Sequence, residues 1–219
     1  MKTITVKGVG TASAPPDYVI ISLGITSKSP EYATAVENAN SRIQMLQEAI
    51  RTVGFGEDEL KTQSFDVDTD YENAPDKHGV YKRKFVGYSC RYALKLSLDF
   101  DSEQLAKTIT AISESDAHAE QSITFTVKEP HKISEELLKA AAEDAREKAV
   151  ILCAASGVTL GELVNISYSR KDNEYNSASC FSLCEEPIVR SAVPEFKPDD
   201  IKSSDTAVFV WEIKATPHN

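Results

Sequence analysis

A chain of 219 residues, 41% hydrophobic and 26% charged, is long enough to bury a substantial core in one domain of one or two lobes. Its formal net charge of -10 argues against nucleic acid, whose phosphates need clustered Lys and Arg, and against an anionic membrane surface, so neither is an expected partner. Four cysteines are too few for a disulfide scaffold.

The opening "MKTITVKGVG" lacks the apolar run of ~7–15 residues that a secretory leader needs. No window approaches the ~18 apolar residues of a membrane span. The chain as written is therefore expected in the cytosol, and outside it only if it is a processed form. Residues 3–9 alternate, with Ile4 and Val6 on one face of a short strand. After "SAPPD" a second strand runs from Tyr18 to Thr26 and turns Val19, Ile21, Leu23 and Ile25 inward. The clearest helix follows, with Ser29 as its expected cap, Pro30 in its first turn and Gly54 at its end. Val36, Ala39, Ile43, Leu46, Ile50 and Val53 make its apolar stripe.

Two strands, Lys61 to Tyr71 and about Lys82 to Leu98, are joined by "ENAPDKHGV" in a long hairpin. A shorter helix starts at Asp101, whose spacing to Gln104 resembles a capping box. Residues 121–127 form a strand, a second long helix runs from about Ser134 to Ser156 and stops at Gly157, and "ELVNISYS" is another strand. The closing "DTAVFVWEI" is apolar on both faces, as an interior strand would be. Between residues 170 and 200 no period survives, and an irregular loop insertion peripheral to the fold is expected. This order predicts an α+β fold: a largely antiparallel or mixed sheet with two long helices and one shorter helix packed on it.

"SFDVDTDYE" places Asp66, Asp68, Asp70 and Glu72 on one strand face and Phe65, Val67 and Tyr71 on the other. A helix-loop-helix calcium site needs Gly at its sixth position and Glu at its twelfth; counted from Asp66, Tyr71 and Lys77 stand there. The acids are expected to form a solvated face balanced by Lys82, Arg83 and Lys84 across the hairpin, with a weak cation site as the alternative.

Chemistry-bearing motifs are sparse. His78, His118, His131 and His218 have no His, Cys or acid at a recognised metal spacing, and no metal or cofactor is expected. Cys90 and Cys153 lie on apolar faces and read as small core residues. Cys180 and Cys184, in the aperiodic segment, form a candidate redox pair, although Glu185 and Glu186 beside them disfavour thiolate. Arg146, among Glu143, Asp144 and Glu147, reads as a helical charge pair or, alternatively, as a buried anchor for a partner's carboxylate.

Taken together, several motifs are similar to the SIMPL-domain family, formerly a domain of unknown function. They are Gly8, Gly10, Pro16 and Asp17 at the start; Lys61, Thr62, Ser64, Phe65 and Tyr71; and Gly87–Tyr88. Ala145, Arg146, Lys148, Ala149, Gly157, Leu160 and Gly161 follow, with the final strand. The resemblance implies an α+β fold, a tendency to self-associate and a link to oxidative-stress defence, and it implies no catalytic residue. The expected function is a non-enzymatic, self-associating scaffold or interaction protein: a homo-oligomer, with a further protein partner unidentified. The alternatives are a redox-responsive protein using Cys180 and Cys184 and, behind it, a small-molecule enzyme with no identified site.

Overall fold

The computed structural model describes residues 2–75, 81–169, 175–183 and 196–215. In chain order it contains β1 (Thr3–Ala14), β2 (Tyr18–Ser29), α1 (Tyr32–Thr52), a 3-10 turn at Glu57–Glu59, β3 (Lys61–Pro75) and β4 (Tyr81–Asp99). Then come α2 (Ser102–Glu114), β5 (Glu120–Thr126), α3 (Pro130–Ala155), β6 (Val158–Ser167), β7 (Asn176–Leu183) and β8 (Ile201–Ala215). The fold is α+β, as the element order predicts. The strands form a three-stranded sheet, β1-β8-β6, and a five-stranded sheet, β3-β4-β2-β5-β7. The residues group into two compact units.

The first unit comprises Met1–Pro16, Thr126–Ala178 and Asp199–Asn219. β8 runs antiparallel between β1 and β6, the interior position that its two apolar faces call for. α3 buries Ile133, Leu137, Ala141, Ala145, Ala149 and Cys153, a stripe of mostly small side chains at four-residue spacing. Opposite them β1 carries Gly8 and Gly10. A Cβ on Gly8 would lie 1.9 Å from the Ala141 carbonyl oxygen, and one on Gly10 1.9 Å from that of Leu137. These glycines serve close backbone approach, and the approaching backbone is α3. The contact is extended by Val6, Phe209 and Trp211, whose rings stack with centroids 5.5 Å apart. α3 begins four residues before its expected start, with Pro130 in its first turn, and Gly157 closes it in the left-handed region at φ +69°.

The second unit comprises Asp17–Phe125 and Ser179–Pro198. β4 pairs antiparallel with both β2 and β3, so the hairpin is formed as predicted. Val19, Ile21 and Leu23 lie opposite Leu98, Leu96 and Leu94, and this face meets α1 and α2 in one core with Ile123 and Phe125. Val36, Ile43 and Val53 of the predicted α1 stripe sit half-buried around Ala39, Leu46 and Ile50. The expected cap of α1 is corrected: Ser29 stays in β2 opposite Tyr88, and the N-cap is Glu31. Asp101 does cap α2, accepting from the Gln104 amide at 2.7 Å. The Gln104 side chain turns away and donates to the Val53 carbonyl at 2.7 Å.

The irregular stretch expected at 170–200 contains β7, which adds an edge strand beside β5. Further along, Phe196 is buried, its ring 6.0 Å from that of Phe125. The sequence of β7, NSASCFSL, carries no apolar period, and an edge strand can form from backbone bonds without one.

Candidate interaction surfaces

Residues of the acidic row are met by cations from neighbouring strands. Lys28 on β2 bonds Asp70 with Nζ 2.7 Å from Oδ2, and Arg91 on β4 bonds Asp68. The Lys28 hydrogen bond holds the Asp70 carboxyl below its ordinary range. Of the expected partners, Lys84 lies opposite Glu72, while Arg83 and Lys82 face Asn73 and Ala74. Arg83 instead places its guanidinium 4.5 Å from the centre of the Tyr71 ring. In this register Lys84 alone of the three stands opposite an acid.

The described residues suspected of chemistry belong to different elements. His118 occupies the turn between α2 and β5 at φ 47°, and His131 lies in the first turn of α3. His78 and His218 fall outside the described residues. Among the described residues, no three of His, Cys, Asp or Glu come together as a metal site. Cys90 and Cys153 are buried, and burial pushes the Cys90 thiol up, toward its unreactive protonated form. Cys180 belongs to β7, and Cys184 lies outside the described residues.

The edges of the three-stranded sheet differ. At β1, the Val9 amide donates to Asp144 Oδ2 of α3 at 2.7 Å, and Lys148 holds the same oxygen at 2.7 Å. These two donors, Lys148 foremost, hold the Asp144 carboxyl below its ordinary value. A charged side chain over an edge amide obstructs strand addition.

At β6 the surface is apolar. Leu163, Val164, Ile166 and Tyr168 are 47%, 45%, 53% and 38% exposed. Leu163 and Ile166 lie opposite Trp211 and Phe209, which pack against α3, so this pair occupies the helix side of the sheet. Tyr168 donates its hydroxyl to the buried Asp205 at 2.9 Å. α3 lies against β1 and leaves this ledge uncovered. With 3.6 residues per turn, Asp144 and Lys148 on the β1 flank put Arg146 and Val150 on the opposite flank and Glu147 on the crest, while Ile151, seven residues after Asp144, lies on the β1 side of the crest. Glu143, Arg146, Glu147, Val150 and Ile151 line a shallow groove along the outer face of α3. Arg146 is exposed, which removes the buried-anchor reading, and it makes no ion pair with any described residue. The ledge escapes a sequence reading that assigns β6 only as a strand. Its signal is the run Leu163, Val164 and Ile166, too apolar for a strand with a wet face.

The chain matches the family model described as SIMPL, protein of unknown function (DUF541), over residues 4–211. It belongs to this family. It is also similar to the 26 kDa periplasmic immunogenic protein of Brucella abortus (strain S19), 26% identical over 167 residues, which is 75% of this chain and 65% of the relative. The protein of the same name from Brucella melitensis biotype 1 matches with the same identity and coverage. The aligned part thus spans just under two thirds of these relatives' length. Both are named periplasmic proteins, and the expectation of a cytosolic chain is overturned by that finding.

Proposed function

On the premise of SIMPL-family membership, we propose that this chain is a periplasmic, non-enzymatic protein that works by associating with copies of itself. The observation that carries the reading is the contrast between the two edges of the three-stranded sheet. On β1 the Val9 amide is capped by Asp144, which Lys148 also holds, whereas β6 presents Leu163, Val164 and Ile166, each about half exposed. Apolar side chains clustered on an edge strand favour burial against another protein surface. The periplasmic location follows the names of the two Brucella relatives. The non-enzymatic reading is supported by Cys90, which is buried and whose thiol burial pushes up, away from the reactive thiolate. A role in stress defence would be exercised through the assembly, with no reactive side chain required. Sedimentation velocity over a range of concentrations tests the proposal. Self-association predicts a sedimentation coefficient that rises with concentration or stays at that of a defined oligomer. A monomer at every concentration would refute it.

A further inference from the structure

Resting on the self-association reading, which leaves the contact unspecified, we infer that the contact is the outer edge of β6. Two copies pair their β6 strands antiparallel about a two-fold axis, with Leu163 of each opposite Ile166 of the other. Among the described strands β6 ends its sheet, so this edge has no neighbour there.

An irregularity in β6 carries the register. Leu163 and Asn165 lie opposite Trp211 and Val210, which are adjacent in β8, so Val164 is one residue more than β8 can match. Leu163 and Ile166, three positions apart, therefore stand on the same side of the sheet, opposite Trp211 and Phe209. A regular strand would meet them across the same mismatch. A second copy has the extra residue at the same place. With Leu163 opposite Ile166, both strands have two residues between the paired positions, Val164 stands opposite Asn165, and the ladder matches residue for residue. That match selects a second copy over an unrelated strand. Leu163 and Ile166 of the two copies, 47% and 53% exposed in one, then form a four-residue apolar cluster on the helix side of a continuous six-stranded sheet.

The charges agree. From Val158 to Ser167 β6 has a single charged residue, Glu162, in a chain of net charge -10. The register sets Glu162 opposite Ser167 and holds the two copies of Glu162 five positions, roughly 17 Å, apart along the strands. Like-charged chains can approach along such an edge. The β1 and β3 edges do not allow this. The Val9 amide of β1 is taken by Asp144, and self-pairing of β3 would lay Asp66, Asp68, Asp70 and Glu72 beside the same row.

Sedimentation equilibrium of the full chain compares wild type, Leu163→Lys, Ile166→Glu and an equimolar mixture of the two variants. Each variant alone should associate about 100-fold more weakly, because it sets a charge against an apolar residue. Mixing should recover at least about 10-fold, because the two substituted positions then face each other with opposite charges. Both positions are exposed, so circular dichroism should match wild type throughout. A second experiment mixes Leu163→Cys with Ile166→Cys, each also carrying Cys180→Ser and Cys184→Ser. Opposed Cα atoms in antiparallel strands are about 4.5–5.5 Å apart, within disulfide range, whereas two copies of one variant hold theirs three positions, roughly 10 Å, apart. Mild oxidation should link the mixed variants and leave either alone unlinked. Association that both charge variants retain, loss that mixing fails to restore, or cross-linking within one variant alone would overturn this pairing and leave self-association standing. A monomeric wild type would overturn both.

Discussion

The carboxylate of Asp144 on α3 accepts a hydrogen bond from the backbone amide of Val9 on β1 at 2.7 Å. A helix residue thereby caps one amide at the edge of the sheet on which its own helix rests. Asp144→Ala removes the acceptor for Val9 and the partner of Lys148, whereas Asp144→Asn keeps an acceptor for Val9. Asp144→Ala should lower the thermal midpoint and promote aggregation on heating, with Asp144→Asn between it and wild type. Calorimetry with light scattering checks the order.

The same pair sets a pH dependence. The folded state holds the Asp144 carboxyl below its ordinary value of 3.8, chiefly through Lys148 and then through Val9. A carboxylate whose pKa is depressed by folding stabilises the protein fully above the unfolded value and loses that contribution as pH falls through the folded one. The gap in thermal midpoint between wild type and Asp144→Ala should be widest above 3.8 and close below it. A gap that widened on acidification would contradict the assignment.

Gly8 and Gly10 set the distance between α3 and β1. A Cβ at either position would lie 1.9 Å from a helix carbonyl oxygen, and neither backbone can move aside cheaply. Gly8→Ala and Gly10→Ala should each cost about 3 kcal/mol, the upper range for overpacking a core. Denaturant unfolding measures it.

The acidic row should behave as a solvated face. Asp68 and Asp70 are engaged by Arg91 and Lys28, and both cations are more than half exposed. Arg91→Ala should change stability by no more than about 1 kcal/mol, as is usual for exposed ion pairs. Millimolar calcium should leave the thermal midpoint of wild type unchanged, and a clear rise would revive the cation-site reading.

Phe196 ties the end of the 170–200 stretch to the core through Phe125. Phe196→Ala should cost about 3 kcal/mol, the loss expected for emptying a buried aromatic site. A neutral result would return that stretch to the periphery, where a sequence without periodicity first places it.

Local physics was legible in the sequence. The alternation in β2, the stripe of α1, the Asp101 cap and the left-handed Gly157 all follow from neighbouring residues and have formed. Tertiary partners were not. Which cations meet Asp68 and Asp70 depends on β2 lying beside β4, and that is not written locally. β7 escaped because an edge strand needs backbone partners more than an apolar pattern. The exposed ledge of β6 was hidden for a related reason. Leu163 and Ile166 look like core residues until α3 is seen to lie over β1. The redox pair of Cys180 and Cys184 remains a sequence motif, with Cys180 alone within the described strands.

Absolute mass by light scattering behind size exclusion, with and without reductant, tests self-association most directly. The account predicts a single species at a whole-number multiple, two or greater, of the 24.0 kDa chain, unchanged by reductant. A 24.0 kDa monomer would contradict it, and a mass that fell on reduction would transfer the assembly to Cys180 and Cys184.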